Sequence, residues 1–221
     1  IFLKNILKMK NLIFYLTILL VILCSCKKSE LVSFTENQPE NVQALKEFPK
    51  KYQGTYYNID EKTEITISKY FIFTTTMSED TINIKDLDKN EIIKNDSLFK
   101  IKSKEKYRIK KINDSLITNY VFSDTIFKIG KTAVLKKFKG YLFLNKQTEN
   151  SEFWNVEKLQ LSKGVVKLSN IETLTELELL KNITEKKSDT TKPFNVKPTK
   201  RQFREFINSN GFSNGKIYLK K

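Results

Sequence analysis

Cys24 and Cys26 are the only thiols in 221 residues, and histidine is absent altogether. Without imidazole, Ser-His-Asp and Cys-His nucleophile systems, histidine general bases and His-containing zinc sites are excluded. Six glycines leave little material for phosphate cradles, and no Walker-type or dinucleotide-binding glycine motif occurs. What remains is carboxylate chemistry. With 25 acids in the chain, a carboxylate-pair glycoside hydrolase stays formally open, as does a Ser/Lys nucleophile pair. No spacing singles out two acids, so no catalytic residue, metal ligand or cofactor is assigned. Cys26 alone has a distinctive chemical setting.

That setting is an apolar leader. Lys10 and Asn11 follow Met9, and Leu12 through Leu23 carries no charge. A basic start before an apolar run of this length predicts a secretory signal over residues 1–25. A spanning helix needs about 20 apolar residues, more than this run supplies. Met9 is the expected start, with residues 1–8 as upstream sequence. The run closes on Leu23-Cys24-Ser25-Cys26, which resembles the lipobox of bacterial lipoproteins: an aliphatic residue, then a tolerant position, a small residue, and the cysteine that takes diacylglycerol. The resemblance covers residues 9–26 and implies cleavage before Cys26, lipid attachment to Cys26, and three acyl chains anchoring the protein to a membrane. Each buried methylene would contribute about 0.8 kcal/mol. By the same resemblance, the absence of Asp at position 27 implies sorting to the outer membrane of the cell envelope. Lys27 and Lys28 add headgroup attraction. With Cys26 acylated, no disulfide is available, and the core must carry the stability alone.

The chain carries a net charge of +15. Arg108, Arg201 and Arg204 are its only arginines, and lysine is spread along nearly every segment. Nucleic-acid sites lean on arginine forks and clustered patches. The excess therefore reads as composition, of the kind AT-rich codons give, and nucleic acid is not expected as a partner.

Three stretches have different patterns. Residues 26–51 read as a lipidated tether, polar at first, with one short helix from Pro39 through Phe48 on which Val42, Leu45 and Phe48 recur every third residue. The flexible part would hold the domain roughly 20 Å from the membrane. Residues 52–221 read as a β-rich globular domain. Ile65 and Ile67, Phe99 and Ile101, Tyr107 and Ile109, Phe127 and Ile129, and Val166 and Leu168 all alternate with polar residues, as in half-buried antiparallel strands. Tyr70 to Phe73 and Tyr141 to Leu144 are apolar on both faces and predict central strands. Asp80-Thr81-Ile82, Asp96-Ser97-Leu98, Asp114-Ser115-Leu116 and Asp124-Thr125-Ile126 repeat one small pattern in which the acid turns the chain and the aliphatic residue opens a strand. Nine or ten strands between Tyr52 and Leu168 predict a mainly β fold, an antiparallel meander forming a barrel or sandwich. Gly54-Thr55-Tyr56 resembles the Gly-x-Trp opening of lipocalins, with Tyr56 in place of Trp, and implies a lipocalin-like barrel shape. Two short helices are expected near the C-terminus, opened by the capping boxes Thr173-Leu174-Thr175-Glu176 and Thr199-Lys200-Arg201-Gln202. Leu174, Leu177 and Leu180 would form the buried face of the first, and Phe203, Phe206 and Ile207 that of the second, which Gly211 stops.

These features predict a non-enzymatic envelope lipoprotein whose domain binds a protein partner or a small apolar ligand, with its ligand-binding residues unassigned. A glycan hydrolase or a purely structural envelope component are the alternatives. A cavity lined by Tyr and Phe would favour the ligand; a filled core with an exposed apolar patch would favour the protein partner.

Overall fold

The computed structural model describes residues 32–148, 151–186 and 189–221. Cys26 and the leader, on which the lipobox resemblance rests, lie outside the described residues. The described chain is mainly β. In order it forms β1 (Val32–Phe34), β2 (Ala44–Leu45), β3 (Gly54–Asn58), β4 (Thr63–Ile67), β5 (Phe71–Asn83), β6 (Glu91–Lys94), β7 (Ser97–Lys100) and β8 (Glu105–Ile112). There follow β9 (Ser115–Lys128), β10 (Ala133–Phe138), β11 (Tyr141–Gln147), β12 (Trp154–Ser162), β13 (Val165–Ser169), α1 (Leu174–Ile183), β14 (Phe194–Val196), α2 (Lys200–Asn208) and β15 (Lys216–Lys220).

The strands join in one sheet in the order β2-β10-β11-β12-β13-β15-β3-β4-β5-β9-β8-β7-β6, with β1 and β14 attached beside β12. All pairings are antiparallel except β1 with β14. The path runs from β2 to β6 and does not close, so the sheet is open. It nevertheless curls strongly. Leu135 of β10, Leu142 of β11, Val166 of β13, Ile65 of β4 and Phe127 of β9 share one buried cluster although their strands stand far apart in the sheet. Backbone bonds reinforce the curl: the Phe48 N–H donates to the Lys69 carbonyl and the Ile129 N–H to the Tyr70 carbonyl, each at 2.9 Å.

A second core lies on the other side of the same sheet. Leu142 and Leu144 face the interior of the curl, while Phe143 faces the opposite way and packs against Phe203 and Phe212 at ring distances of 5.1 and 5.9 Å. Both expected helices are present, each with its complete capping box. Phe203, Phe206 and Ile207 of α2 are buried there, with Leu180 of α1 and Val32 and Phe34 of β1. Leu174 is 68% exposed: the buried stripe of α1 starts one turn later, at Leu177.

Several expectations need correction. The domain does not begin at Tyr52, because residues 32–51 are packed into it: Val32, Phe34, Gln38 and Phe48 are buried. No helix forms over residues 39–48. Leu45 lies in β2 opposite Leu135, so the spacing of three is satisfied by an extended segment laid along a sheet edge. That segment is tied down by Asn145, whose Nδ2 donates to the Gln38 carbonyl at 2.8 Å, and by the Lys136 ammonium, which donates to the carbonyls of Asn37 and Pro39 at 2.9 and 2.8 Å. Tyr141 to Leu144 and Phe71 to Phe73 both lie in central strands, β11 between β10 and β12 and β5 between β4 and β9, but the second segment is not buried on both faces: Tyr70 and Phe71 are exposed, and Ile72 is buried. Eleven strands, β3 to β13, span the meander. Phe99 and Ile101 do not share a buried face, because β7 ends at Lys100 and buries Leu98 instead.

Glu176 links α1 to the entry of β15. Its Oε1 accepts from the Ser213 N–H at 2.6 Å, and its Oε2 accepts from the N–H groups of Glu172 and Thr173, each at 3.1 Å, and from the Thr173 hydroxyl at 2.9 Å. Burial would raise this carboxyl, but the Ser213 N–H, the Thr173 hydroxyl and the remaining backbone donors outweigh it and hold the group below the ordinary glutamate value. The native state then binds fewer protons than the unfolded chain, so stability rises with pH across this range. The contribution is full above the ordinary value of 4.5 and drains away as pH falls through the lower folded value. Glu176→Gln is expected to lower stability at neutral pH by ~1–3 kcal/mol and to flatten the acid limb. Urea midpoints at neutral pH and near pH 4 check this, and parallel losses in the two proteins would contradict it.

Candidate functional site

The candidate site is built from two strands that outrun their neighbours. β4 pairs with β5 only as far as Thr63 opposite Thr76. Residues 77–83 continue with β9 alone on that side, through Met77–Val121, Asp80–Thr118 and Asn83–Ser115. At ~3.3 Å per residue this ribbon extends roughly 20 Å past the end of β4. β8, β7 and β6 then add to the free side of β9 in succession.

Directly opposed residues in an antiparallel ladder share a face, so the register sorts the ribbon's side chains. One face, here the inner face, carries Leu98, Ile109 and Leu116, which form a small core with Ile82, Ile84 and Leu87 against it. On the same face a row of aromatics runs from this core toward the body. Tyr107 and Tyr120 have ring centroids 4.6 Å apart, and Tyr120 stacks on Phe122 at 6.3 Å with ring planes inclined by 21°. Phe122 is 61% exposed, so the row ends in solvent. Beside it lies an open hollow of ≈ 400 Å³ lined by Ser78, Glu79, Asp80, Lys100, Tyr120 and Phe122.

The charged groups around the hollow are held by one another. Lys100 pairs with Glu91 at 3.6 Å, and its ammonium lies 5.4 Å from the Tyr107 ring centroid. The Glu105 carboxylate accepts from the Ser103 hydroxyl at 2.6 Å, and this bond, with a second from Tyr107, holds Glu105 below the ordinary value. In return the hydrogen bond to Glu105 pushes the Tyr107 phenol up to about 12, with burial adding to it. Tyr107 is therefore a fixed donor and not a base near neutral pH. Glu79 and Asp80 both reach the rim, but as consecutive strand residues they leave opposite faces and do not converge on a common centre.

Other buried ionisable groups are committed to structure. Burial draws the Lys136 and Lys158 ammonium groups below their ordinary range. Lys136 is bonded to two carbonyls, as described above. Lys158 donates to the Gly211 carbonyl at 3.3 Å and lies over the rings of Tyr141 and Phe212. Among the described residues no group of three His, Cys, Asp or Glu side chains is placed to hold a metal ion.

Cys26, the one residue assigned from the sequence, falls outside the described residues. The ribbon went unassigned there. Half of its signal lay in the repeated Asp pattern: Asp96 and Asp114 lie within the two-residue hairpin turns that precede β7 and β9, whereas Asp80 and Asp124 lie inside β5 and β9, where the ladder takes precedence over a local turn. No protein-family model, curated protein or solved structure matches this chain.

Glu105→Gln removes the carboxylate that disfavours the phenolate. The Tyr107 transition is expected to fall from about 12 toward the ordinary tyrosine value of 10.0. The difference between ultraviolet titrations of wild type and variant isolates this residue from the other tyrosines, and superimposable titrations would contradict the assignment.

Proposed function

We propose that the protein is an envelope lipoprotein, anchored by acyl chains on Cys26, whose β-rich domain is a non-enzymatic binding module that presents the inner face of its ribbon to a protein partner. One observation carries the reading: the interior of the curled sheet is filled, while the aromatic row of the ribbon lies open. Phe48, Tyr52 and Tyr56 are completely buried inside the curl, and Tyr52 and Tyr56 spend their hydroxyls on the carbonyls of Gly140 and Tyr52. That packing gives little support to a small apolar ligand held inside the curl. Stacked tyrosine and phenylalanine at a surface are the side chains protein interfaces favour, because they offer large, rigid contact area.

A carboxylate-pair hydrolase has less support, since the two acids beside the hollow point to opposite faces. The anchor is supported by the register of apolar run, small residue and cysteine over residues 9–26. Arrival at the membrane would convert partner binding into a search over a surface, which raises the effective concentration of both components.

The test places a photo-crosslinking amino acid at Phe122 in intact cells, with the exposed position Lys137 on the body as control. A discrete adduct is expected from position 122 and not from 137, and Tyr120→Ser should remove it while leaving the melting temperature within a few degrees. Equal adducts from both positions, or none from position 122, would contradict the partner reading. In the same cells Cys26→Ala should abolish fatty-acid labelling and release the protein from membranes; undiminished labelling would refute the anchor.

A further inference from the structure

The ribbon is electrically two-sided. The register places Lys94, Lys106, Arg108 and Lys110 on its outer face, opposite the small core, with Glu79 as the one acid among them. The inner face has the reverse balance: Asp80, Glu91, Glu105 and Asp124 stand against Lys100 and Lys111. Each of the four outer cations is exposed, and among the described residues none is ion-paired with an acid. Lys106 instead lies over the Phe99 ring at 5.4 Å.

Aliphatic side chains lie between these cations. Met77, Val121, Ile92 and Ile112 belong to the same outer face and are 66, 60, 50 and 42% exposed. A sheet face left to water ordinarily sheds such residues for polar ones, and here it keeps them, spaced between lysines.

We propose that the outer face of the ribbon adsorbs to anionic lipid headgroups. The charge is complementary: four unpaired cations on one surface meet phosphates, each gaining as it nears the negative leaflet. The aliphatic groups between them reach the headgroup–acyl boundary, as the apolar side of an interfacial amphipathic element does. An acidic protein would satisfy the charge alone. Lysine, however, supplies three of these four cations and is depleted in protein interfaces, and the stacked aromatic row lies on the other face. Adsorption through the outer face would turn the inner face, with that row and its hollow, away from the lipid. The proposal uses the envelope location suggested above for its physiological setting only, because headgroup binding does not depend on Cys26.

The experiment uses residues 26–221 carrying Cys26→Ala, the chain that the proposed cleavage leaves, so that neither the apolar leader nor an acyl anchor contributes, in flotation with phosphatidylcholine vesicles prepared with and without phosphatidylglycerol. Binding is expected only where phosphatidylglycerol is present, and it should weaken as salt screens the charges. Lys106→Gln with Lys110→Gln should lower partitioning about thirtyfold, and Ile92→Ser with Val121→Ser should lower it while leaving the salt dependence unchanged. If the first pair lowers the melting temperature, Lys94→Gln with Arg108→Gln makes the same test. Binding to neither vesicle, equal binding to both, or full retention in the lysine variants overturns the proposal. Capture by immobilised polyglutamate without vesicle binding also overturns it and assigns the face to an acidic protein. Because the anchor is absent and the crosslinking position lies on the other face, failure here is distinguishable from failure of the partner reading.

Discussion

The ladder between β5 and β9 is the interaction on which the rest depends. It runs from Phe71 opposite Lys128 to Asn83 opposite Ser115, and a bulge divides it where Ile72 pairs with Phe127 but Phe73 with Thr125. The unpaired residue, Ile126, gives β9 the extra length that bends one end of the ladder into the body. On the body side Ile72 and Phe127 are buried in the main core. Farther out, Met77 and Val121 stand in water. An isolated two-stranded hairpin is marginal at best, so the projecting part needs both its root in the core and the strands β8, β7 and β6 beside it. Burial of Leu98, Ile109 and Leu116 adds ~1.5–3 kcal/mol for each side chain, and cross-strand pairs such as Tyr107 with Tyr120 add ~0.2–1 kcal/mol.

The body provides the rigid root. Its sheet is buried on both sides around β11, with Leu142 and Leu144 turned into the curl and Phe143 turned toward the helices. Polar ties fix what apolar packing would leave free to slide. Asn145 and Lys136 clamp residues 37–39 to β10 and β11, and Glu176 clamps α1 to the approach of β15. Gly215 sits in that approach because a Cβ there would lie 2.5 Å from the Leu168 carbonyl oxygen and 2.3 Å from the Ser169 hydroxyl. Lys136, Lys158 and Glu176, all shifted from their ordinary values, act as fasteners of this kind, each bonded to backbone groups of another segment.

Much of the fold was legible in the sequence because alternation and capping report local physics. Ile65 and Ile67, Val166, the two capping boxes and the two-faced strand at β11 all stand where their patterns place them. What was illegible depended on distant partners. The same Asp-Ser/Thr pattern completes a hairpin turn at residues 96 and 114 and lies in strand interiors at 80 and 124. The difference is the preceding residue: Asn95 and Asn113 adopt left-handed φ values of 47° and 53°, which Asn tolerates, whereas Glu79 and Ser123 precede the other two. Val42, Leu45 and Phe48 matched a helical spacing, yet the free edge of β10 offered Leu45 a strand partner. The outer face of the ribbon was hidden for another reason. Its cations are dispersed along the sequence, and only the strand register collects Lys94 with Lys106, Arg108 and Lys110 on one side.

A folded, charged and partly aromatic ribbon held out from a filled body is the feature on which the functional reading rests. Amide hydrogen exchange on the intact chain tests it most directly. The account predicts slow exchange along residues 115–118 of β9, which are paired on both sides, and slow exchange at alternate residues from 77 to 83 of β5, which are paired on one side only. Rapid, uniform exchange across both stretches, alongside protected amides in β4 and β11, would mean that the ribbon is not a persistent sheet and would contradict the account.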